Sequence, residues 1–451
     1  MAIQQLTSTR RRRLLLIMVL IFAFFLVPFG CVFFTDVDPP DDSDLIVVLP
    51  PVAEEDNIVV ALSGLGDQVM DATDEWEIFL FAGDDEEPLW PWDPDRPDSP
   101  WRDPQVLAEA GKFFERHASL FRAIEGAIER PDWREDPGDV DTLSWRAVSQ
   151  LIIDRAAWLR WTGRRSDSLS ELIGVLDLGD AMIEGAQSPD QLFNGGSCRL
   201  RVWQSLEVLD EEGAVGQAWR ERLLRRPLVS ERLSFRRLVA LSYSEGVQLI
   251  TQVCELDGEV RDWFEDEVSE LSIRYGLKKN KTLRAYANDV RRLLESERPP
   301  VSERDSTGFL APSWLARCVA AVQGNWVGLW FSRLLTVSDV LSDRFAQREA
   351  EVRTRLALRW YEVEHGQLPA QLQDLVGAVP GFGALPVDPW SGEPFLYDRD
   401  RRLIWSVGDD GIDQGAVGGD VAREDPEQSR FDQLDWVWAL PKPPDLPATK
   451  P

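Results

Sequence analysis

The chain has 451 residues, 44% hydrophobic and 10% aromatic, which is the composition of a folded protein, and its length suits two or three domains. Its formal charge is -29, from 78 acidic and 49 basic residues, a field that repels nucleic acid and anionic lipid surfaces and excludes both as expected partners. With only His117 and His365 present, one chain cannot build a multi-histidine zinc or iron site.

Residues 1–13 end in Arg10, Arg11, Arg12 and Arg13, and Leu14 to Phe34 then runs 21 residues without a charge. A helix of that length covers a hydrocarbon core of roughly 30 Å. Basic residues before the span and Asp36, Asp38, Asp41, Asp42 and Asp44 after it set the orientation with the N-terminus in the cytoplasm. Pro28 and Phe29 stand where a cleavable signal wants small residues, while Cys31 follows Gly30 as a lipid-acceptor cysteine would. An uncleaved anchor, a lipidated Cys31 and a cleaved signal remain three readings. All of them place the rest of the chain outside the cytoplasm, as a single-pass, membrane-anchored body. The remaining cysteines, Cys198, Cys254 and Cys318, are odd in number and too widely spaced for a disulfide framework or a metal pattern, and they read as buried apolar thiols.

Residues 35–55 are acidic and proline-bearing and read as an extended tether that spaces the body from the membrane. The first helix is expected near Asp56 or Asn57, ahead of the apolar run Ile58, Val59, Val60, Leu62 and Leu65. Residues 84–104 carry too many prolines for a regular element, and their Trp90, Trp92 and Trp101 either stack on sugars or pin the loop to the body, the second being the simpler reading. From Val106 to about Leu335 helices follow one another. Phe113, Phe114, His117, Leu120, Phe121, Ile124 and Ile128 form the clearest apolar stripe, on which His117 reads as a core residue. Breaks are expected at residues 131–141, 162–167, 188–190, at Asn194-Gly195-Gly196, before Leu228 and at 297–300. The basic cluster of Lys278, Lys279, Lys281, Arg284, Arg291 and Arg292 reads as a helix face neutralising nearby carboxylates.

After Thr336 a continuous helix is expected to bury Phe345, Val352, Leu356, Trp360 and Val363. Glu349 with Arg353 and Glu351 with Arg355 pair at i, i+4 on what should be its exposed side, and Gly366 and Pro369 end it. Alternation at Phe395 and Tyr397, then at Leu403 and Trp405, predicts two strands around a charged turn, and Asp435 to Leu440 a third. The fold class read from the sequence is therefore mainly α. It comprises a transmembrane helix, an irregular bundle or solenoid-like body over 56–335, and a small α+β domain over 336–441 with one long helix and an antiparallel sheet. A tail over 442–451 completes it.

Those last residues resemble the C-terminal region of the type II secretion major pseudopilin, and of large bacterial envelope proteins that carry such a region without being pilins. The matching positions are Tyr361, Gly366 and Pro369, then Asp388, Pro389, Trp390, Gly392, Pro394 and Tyr397, then Ser406, Gly408, Asp410, Gly411 and Asp413. The match covers about the last quarter of the chain. The apolar helix lies roughly 300 residues upstream of the head, so the chain is not an ordinary filament subunit. The resemblance implies a loop able to hold calcium, for which Asp409, Asp410, Asp413 and Asp420 offer oxygen ligands, although Gln414 and Ala416 replace an expected acid and glycine. An acidic turn without metal is the alternative. No phosphate loop, GxSxG, HExxH or GxGxxG occurs, and carboxylate pairs such as Glu265 and Glu267 are too common to point to a site. The sequence thus suggests a non-enzymatic envelope protein that binds other proteins, with an acidic-residue hydrolase working in a groove between helices, or a glycan-binding module, as alternatives.

Overall fold

The computed structural model describes residues 38–80, 100–134, 145–228, 235–255, 279–295, 326–408, 411–416 and 435–440. In chain order its helices are α1 (Ile58–Ser63), α2 (Gly66–Leu80), α3 (Pro104–Arg116), α4 (Ala118–Ile128), α5 (Trp145–Trp161) and α6 (Arg165–Gly185). They continue with α7 (Pro189–Glu211), α8 (Gln217–Leu224), α9 (Phe235–Glu255), α10 (Lys279–Glu295) and α11 (Trp326–His365). Strands β1 (Leu396–Asp398), β2 (Leu403–Ser406) and β3 (Trp436–Ala439) follow. The chain is mainly helical with a small antiparallel sheet at its C-terminal end, as expected. Among the described residues no helix is long and apolar enough to cross a membrane, and the expected span at 14–34 lies outside them.

Local chemistry sets several boundaries. The Asn57 carboxamide oxygen accepts from Val59 N and caps α1, Asp103 accepts from Gln105 N ahead of Pro104, and Ser188 accepts from Gln191 N ahead of Pro189. Two expectations fail. The stripe from Phe113 to Ile128 belongs to two helices that meet at His117, so the histidine sits half-buried at a corner with Nε2 3.1 Å from the Glu75 carboxylate. Asn194-Gly195-Gly196 does not break α7. A Cβ on Gly195 would come within 2.8 Å of the Gly179 carbonyl oxygen, and one on Gly196 within 2.7 Å of the Phe345 ring, so these glycines serve close helix packing.

Two compact units share the chain. The larger contains residues 48–238 and the chain from Ser338 onward. It has a continuous apolar core, from Ile58 on α1, through Trp76, Phe113 and Leu172, to Leu356 on α11 and Ile404 and Trp438 in the sheet. Trp101 is fully buried, 5.9 Å from the ring of Trp76, so it pins its segment to the body and is not a sugar platform. Trp90 and Trp92 lie outside the described residues. Strand order is β1-β2-β3, with Tyr397 opposite Ile404 and Ile404 opposite Trp438. Gly366, at φ +71°, ends α11 by donating its N–H to Glu362 O.

The long helix departs from its predicted faces. Val352, Leu356 and Trp360 are buried as expected, but Val363 is 44% exposed. The pairs Glu349–Arg353 and Glu351–Arg355 are buried, not exposed. Ion pairs at i, i+4 have the same spacing on any face, and here helix α7 covers the charged side.

The smaller unit contains residues 38–47, α9 from Val239, α10 and the start of α11. Tyr243 and Tyr286 stack at 5.2 Å, close enough that Gly246 leaves room for the Tyr286 ring. The expected tether is docked over its described part. Arg284 donates to Asp38 O at 2.7 Å, Arg291 to the Asp44 carboxylate at 2.6 and 2.9 Å, and the Tyr243 hydroxyl to Asp42 at 2.7 Å, while Leu45 is buried. Arg291 of α10 thus neutralises the Asp44 carboxylate, and acidic residues 38–44 form a strap.

Candidate functional site

In the head, the acids that the resemblance singled out hold turns together where the structure describes them. Asp388 is buried and accepts from Ser406 Oγ at 2.8 Å and from Trp390 N at 3.1 Å, closing the turn that leads into β1; burial raises its pKa against those hydrogen bonds. Of the proposed calcium ligands, Asp409, Asp410 and Asp420 lie outside the described residues. Asp413 is exposed, and its Oδ1 accepts from Trp405 Nε1 at 3.1 Å and Gly415 N at 2.8 Å. Fully buried Asp435 accepts the N–H groups of Gln414 and Ala416 at 3.1 and 2.8 Å. Ala416 has φ +60°, the left-handed conformation natural to a glycine. Among the described residues no group of three or more acidic, cysteine or histidine side chains is placed to hold a metal.

Charged residues are concentrated where α7 meets α11. Arg199 is 1% exposed and lies between Glu349, at 2.7 Å, and Asp180. Arg355 reaches Glu211 at 2.8 Å, Glu351 at 3.0 Å and also Glu207, which Arg348 shares. Arg353 donates to the carbonyls of Leu224 and Arg226 at 2.7 and 2.5 Å, the end of α8. Arg220 holds Asp210 at 2.7 Å, and Arg402 from the β1–β2 turn grips Glu362 on α11 with two bonds of 2.8 and 3.0 Å. Burial would raise the Glu207 carboxyl, but Arg355 and Arg348 outweigh it and lower its pKa. Burial would lower Arg355, yet Glu207, Glu351 and Glu211 raise it. Glu351 is pushed up to about 7, chiefly by burial.

The other concentration of ionisable groups lines a cleft of about 570 Å³ formed by α4, α5, α6 and α8. On α5, Ile152, Arg155 and Leu159 recur at helical spacing and face into it, as do Asp167, Glu171 and Gly174 on α6. Arg155 Nη1 lies 2.8 Å from Glu125 Oε1 and 3.3 Å from Glu171 Oε1, and its guanidinium sits 4.7 Å over the Phe121 ring. The Glu171 side chain is 11% exposed and that of Glu125 48%. Burial raises Glu171 to about 7 against the pull of Arg155, with Glu125 and Asp167 adding to the rise and Arg164 opposing it. Trp219 closes one side, with Arg222 5.2 Å over its ring.

Nothing in the sequence pointed to this cleft, because Glu125, Arg155 and Glu171 come from three helices and no motif joins them. The amphipathic spacing on α5 and α6 was the sole available signal, and it is shared with every packed helix. Glu265 and Glu267 lie outside the described residues. Cys198 is a buried free thiol whose pKa is raised by burial, the inert state expected of it. Compared with protein-family models, curated proteins and solved structures, the chain matches none.

Proposed function

We propose that the chain is a membrane-anchored, extracytoplasmic interaction protein of the bacterial envelope, in which a helical body and a pseudopilin-like head form one surface for protein partners. The observation that supports this reading is the buried ionic layer between α7 and α11, extended to the β1–β2 turn by Arg402 and Glu362. It commits the charges of the head's helix to holding head and body together, which suits a docking surface of fixed shape. Residues 14–34 serve as the anchor and the body projects away from the cytoplasm.

The hydrolase alternative draws on Glu171 and Glu125. Acid–base hydrolysis needs a substrate bond between the two carboxyl groups. Here the Arg155 guanidinium occupies that position, so the arrangement suits binding better than bond cleavage.

The test is crosslinking in the native membrane with the tagged full chain. Deleting the head would strip α7 of its partners, so the comparison uses Val387→Asp and Ile412→Asp, at exposed apolar positions of the head. Partners captured by the wild type and lost with these variants support the reading. Capture unchanged by both, or turnover of a substrate abolished by Glu171→Gln, contradicts it.

A further inference from the structure

The cleft between α4, α5, α6 and α8 has the dimensions of a small-molecule site, within the roughly 300 to 1,000 Å³ usual for such pockets. Its lining combines Ile152, Leu159, Ile173 and Trp219 with five carboxylates and three guanidiniums. The guanidiniums are already engaged. Arg155 lies between two carboxylates, Arg164 is 2.7 Å from Asp167, and Arg222 rests on the Trp219 ring. Asp177 is paired with Arg226 outside the lining, which leaves four carboxylates facing the three guanidiniums, so the excess charge is negative when Glu171 is ionised, and it lies beside apolar walls. Glu171 is the deepest of these acids, and Arg155 satisfies it from one side only, at a distance longer than its contact with Glu125.

We infer that this cleft binds an organic cation, an ammonium or guanidinium carried on an aliphatic stem, with Glu171 and Glu125 receiving the charged group and the apolar lining of Ile152, Leu159, Ile173 and Trp219 receiving the stem. Arg155 and Arg164 are already paired with carboxylates, so an anion would meet the surplus of acids with only Arg222 to hold it, whereas a cation relieves that surplus. The stem explains the apolar walls, since an inorganic cation would leave them bare. Two sources carry this chemistry: a free amine, and a lysine or arginine side chain of a polypeptide.

Binding must also depend on pH with a definite sign. Glu171 faces Arg155 on α5, Glu125 on α4, and Asp167 and Arg164 at the start of its own helix. Glu171, near 7, gains its charge as pH rises and then attracts a cation more strongly.

The experiment is calorimetric titration of the full chain in detergent with agmatine and, separately, with acetyl-arginine amide, at pH 6 and pH 8 in phosphate buffer. Both probes keep their guanidinium charge throughout. The expected result is saturable binding of at least one probe, about tenfold tighter at pH 8, because a carboxyl near 7 is about one-tenth ionised at pH 6 and nine-tenths at pH 8. Glu171→Gln should weaken binding at pH 8 about tenfold or more and abolish the pH dependence, while its melting temperature shows that the fold survives. Agmatine alone binding assigns a free amine, and the arginine amide alone binding assigns a polypeptide side chain. No saturation by either probe at millimolar concentration, or binding that Glu171→Gln and pH leave unchanged, overturns the inference. Its failure leaves the interaction reading intact, since that reading is tested at Val387 and Ile412 on the head.

Discussion

The α7–α11 interface and the cleft between α4, α5, α6 and α8 are built from the same side chains, arginine and glutamate, yet their environments differ. At the interface Arg199, Arg355 and Glu351 are buried and each has partners on more than one side. In the cleft Glu125 is half exposed and Glu171 is held by one arginine from one side. Burial with full pairing makes a charge structural, because removing either partner leaves the other stranded in a low-dielectric interior. Burial with partial pairing leaves a group whose protonation and occupancy can respond to a ligand.

The largest effect should come from breaking the interface. Arg355→Met takes one partner each from Glu207, Glu211 and buried Glu351, leaving Arg348 alone to pair with Glu207 and Glu351, and should cost about 3 to 5 kcal/mol, lowering the melting temperature by roughly 10 °C. A loss below 2 °C in thermal melts would show that the layer contributes little. Next is Gly195→Ala, whose methyl would press on the Gly179 carbonyl and on Ile183. Overpacking there should cost about 1 to 3 kcal/mol, whereas an Ala as stable as the wild type would show that α6 and α7 are not so close.

Those two predictions also mark what was legible. Asn57 as a cap, Gly366 as a stop, and strands on either side of residues 399–402 followed from rules that act within a few residues, and all are observed. Glu349–Arg353 and Asn194-Gly195-Gly196 were misread because their meaning depends on a neighbour distant in sequence. A helix covers the first pair, and the glycines admit Gly179 and Phe345. The cleft was illegible for the same reason, Glu125, Arg155 and Glu171 meeting only after three helices assemble. The acidic segment at 38–44 composes like a tether, and only Arg284, Arg291 and Tyr243, 201 to 247 residues later, turn it into a strap.

A pH series sharpens the comparison further. Asp154, held by Trp76 Nε1 and Gln150 at 2.8 Å each, is pushed up to about 7 by burial, as are Glu171 and Glu351. For a carboxyl with a raised folded-state pKa, the native state binds more protons than the unfolded one between the unfolded value and about 7, so stability falls as pH rises through that window. The unfolding free energy should therefore be larger at pH 5.5 than at pH 7.5, by on the order of 1 to 3 kcal/mol, and Asp154→Asn should reduce the difference. A stability that rises over the same interval would contradict the assignment. The smallest effect should be a gain: Ala416→Gly removes a left-handed alanine and should stabilise the head by up to about 1 kcal/mol, read by denaturant unfolding.

The central claim is that buried charge makes body and head one unit, and hydrogen exchange on the full chain, wild type against Arg355→Met, tests it most directly. The account predicts that Pro189–Glu211, the buried part of α11 and strands β2 and β3 lose protection together. Loss confined to the turns around residue 355, with the strands and α7 as protected as in the wild type, would contradict it.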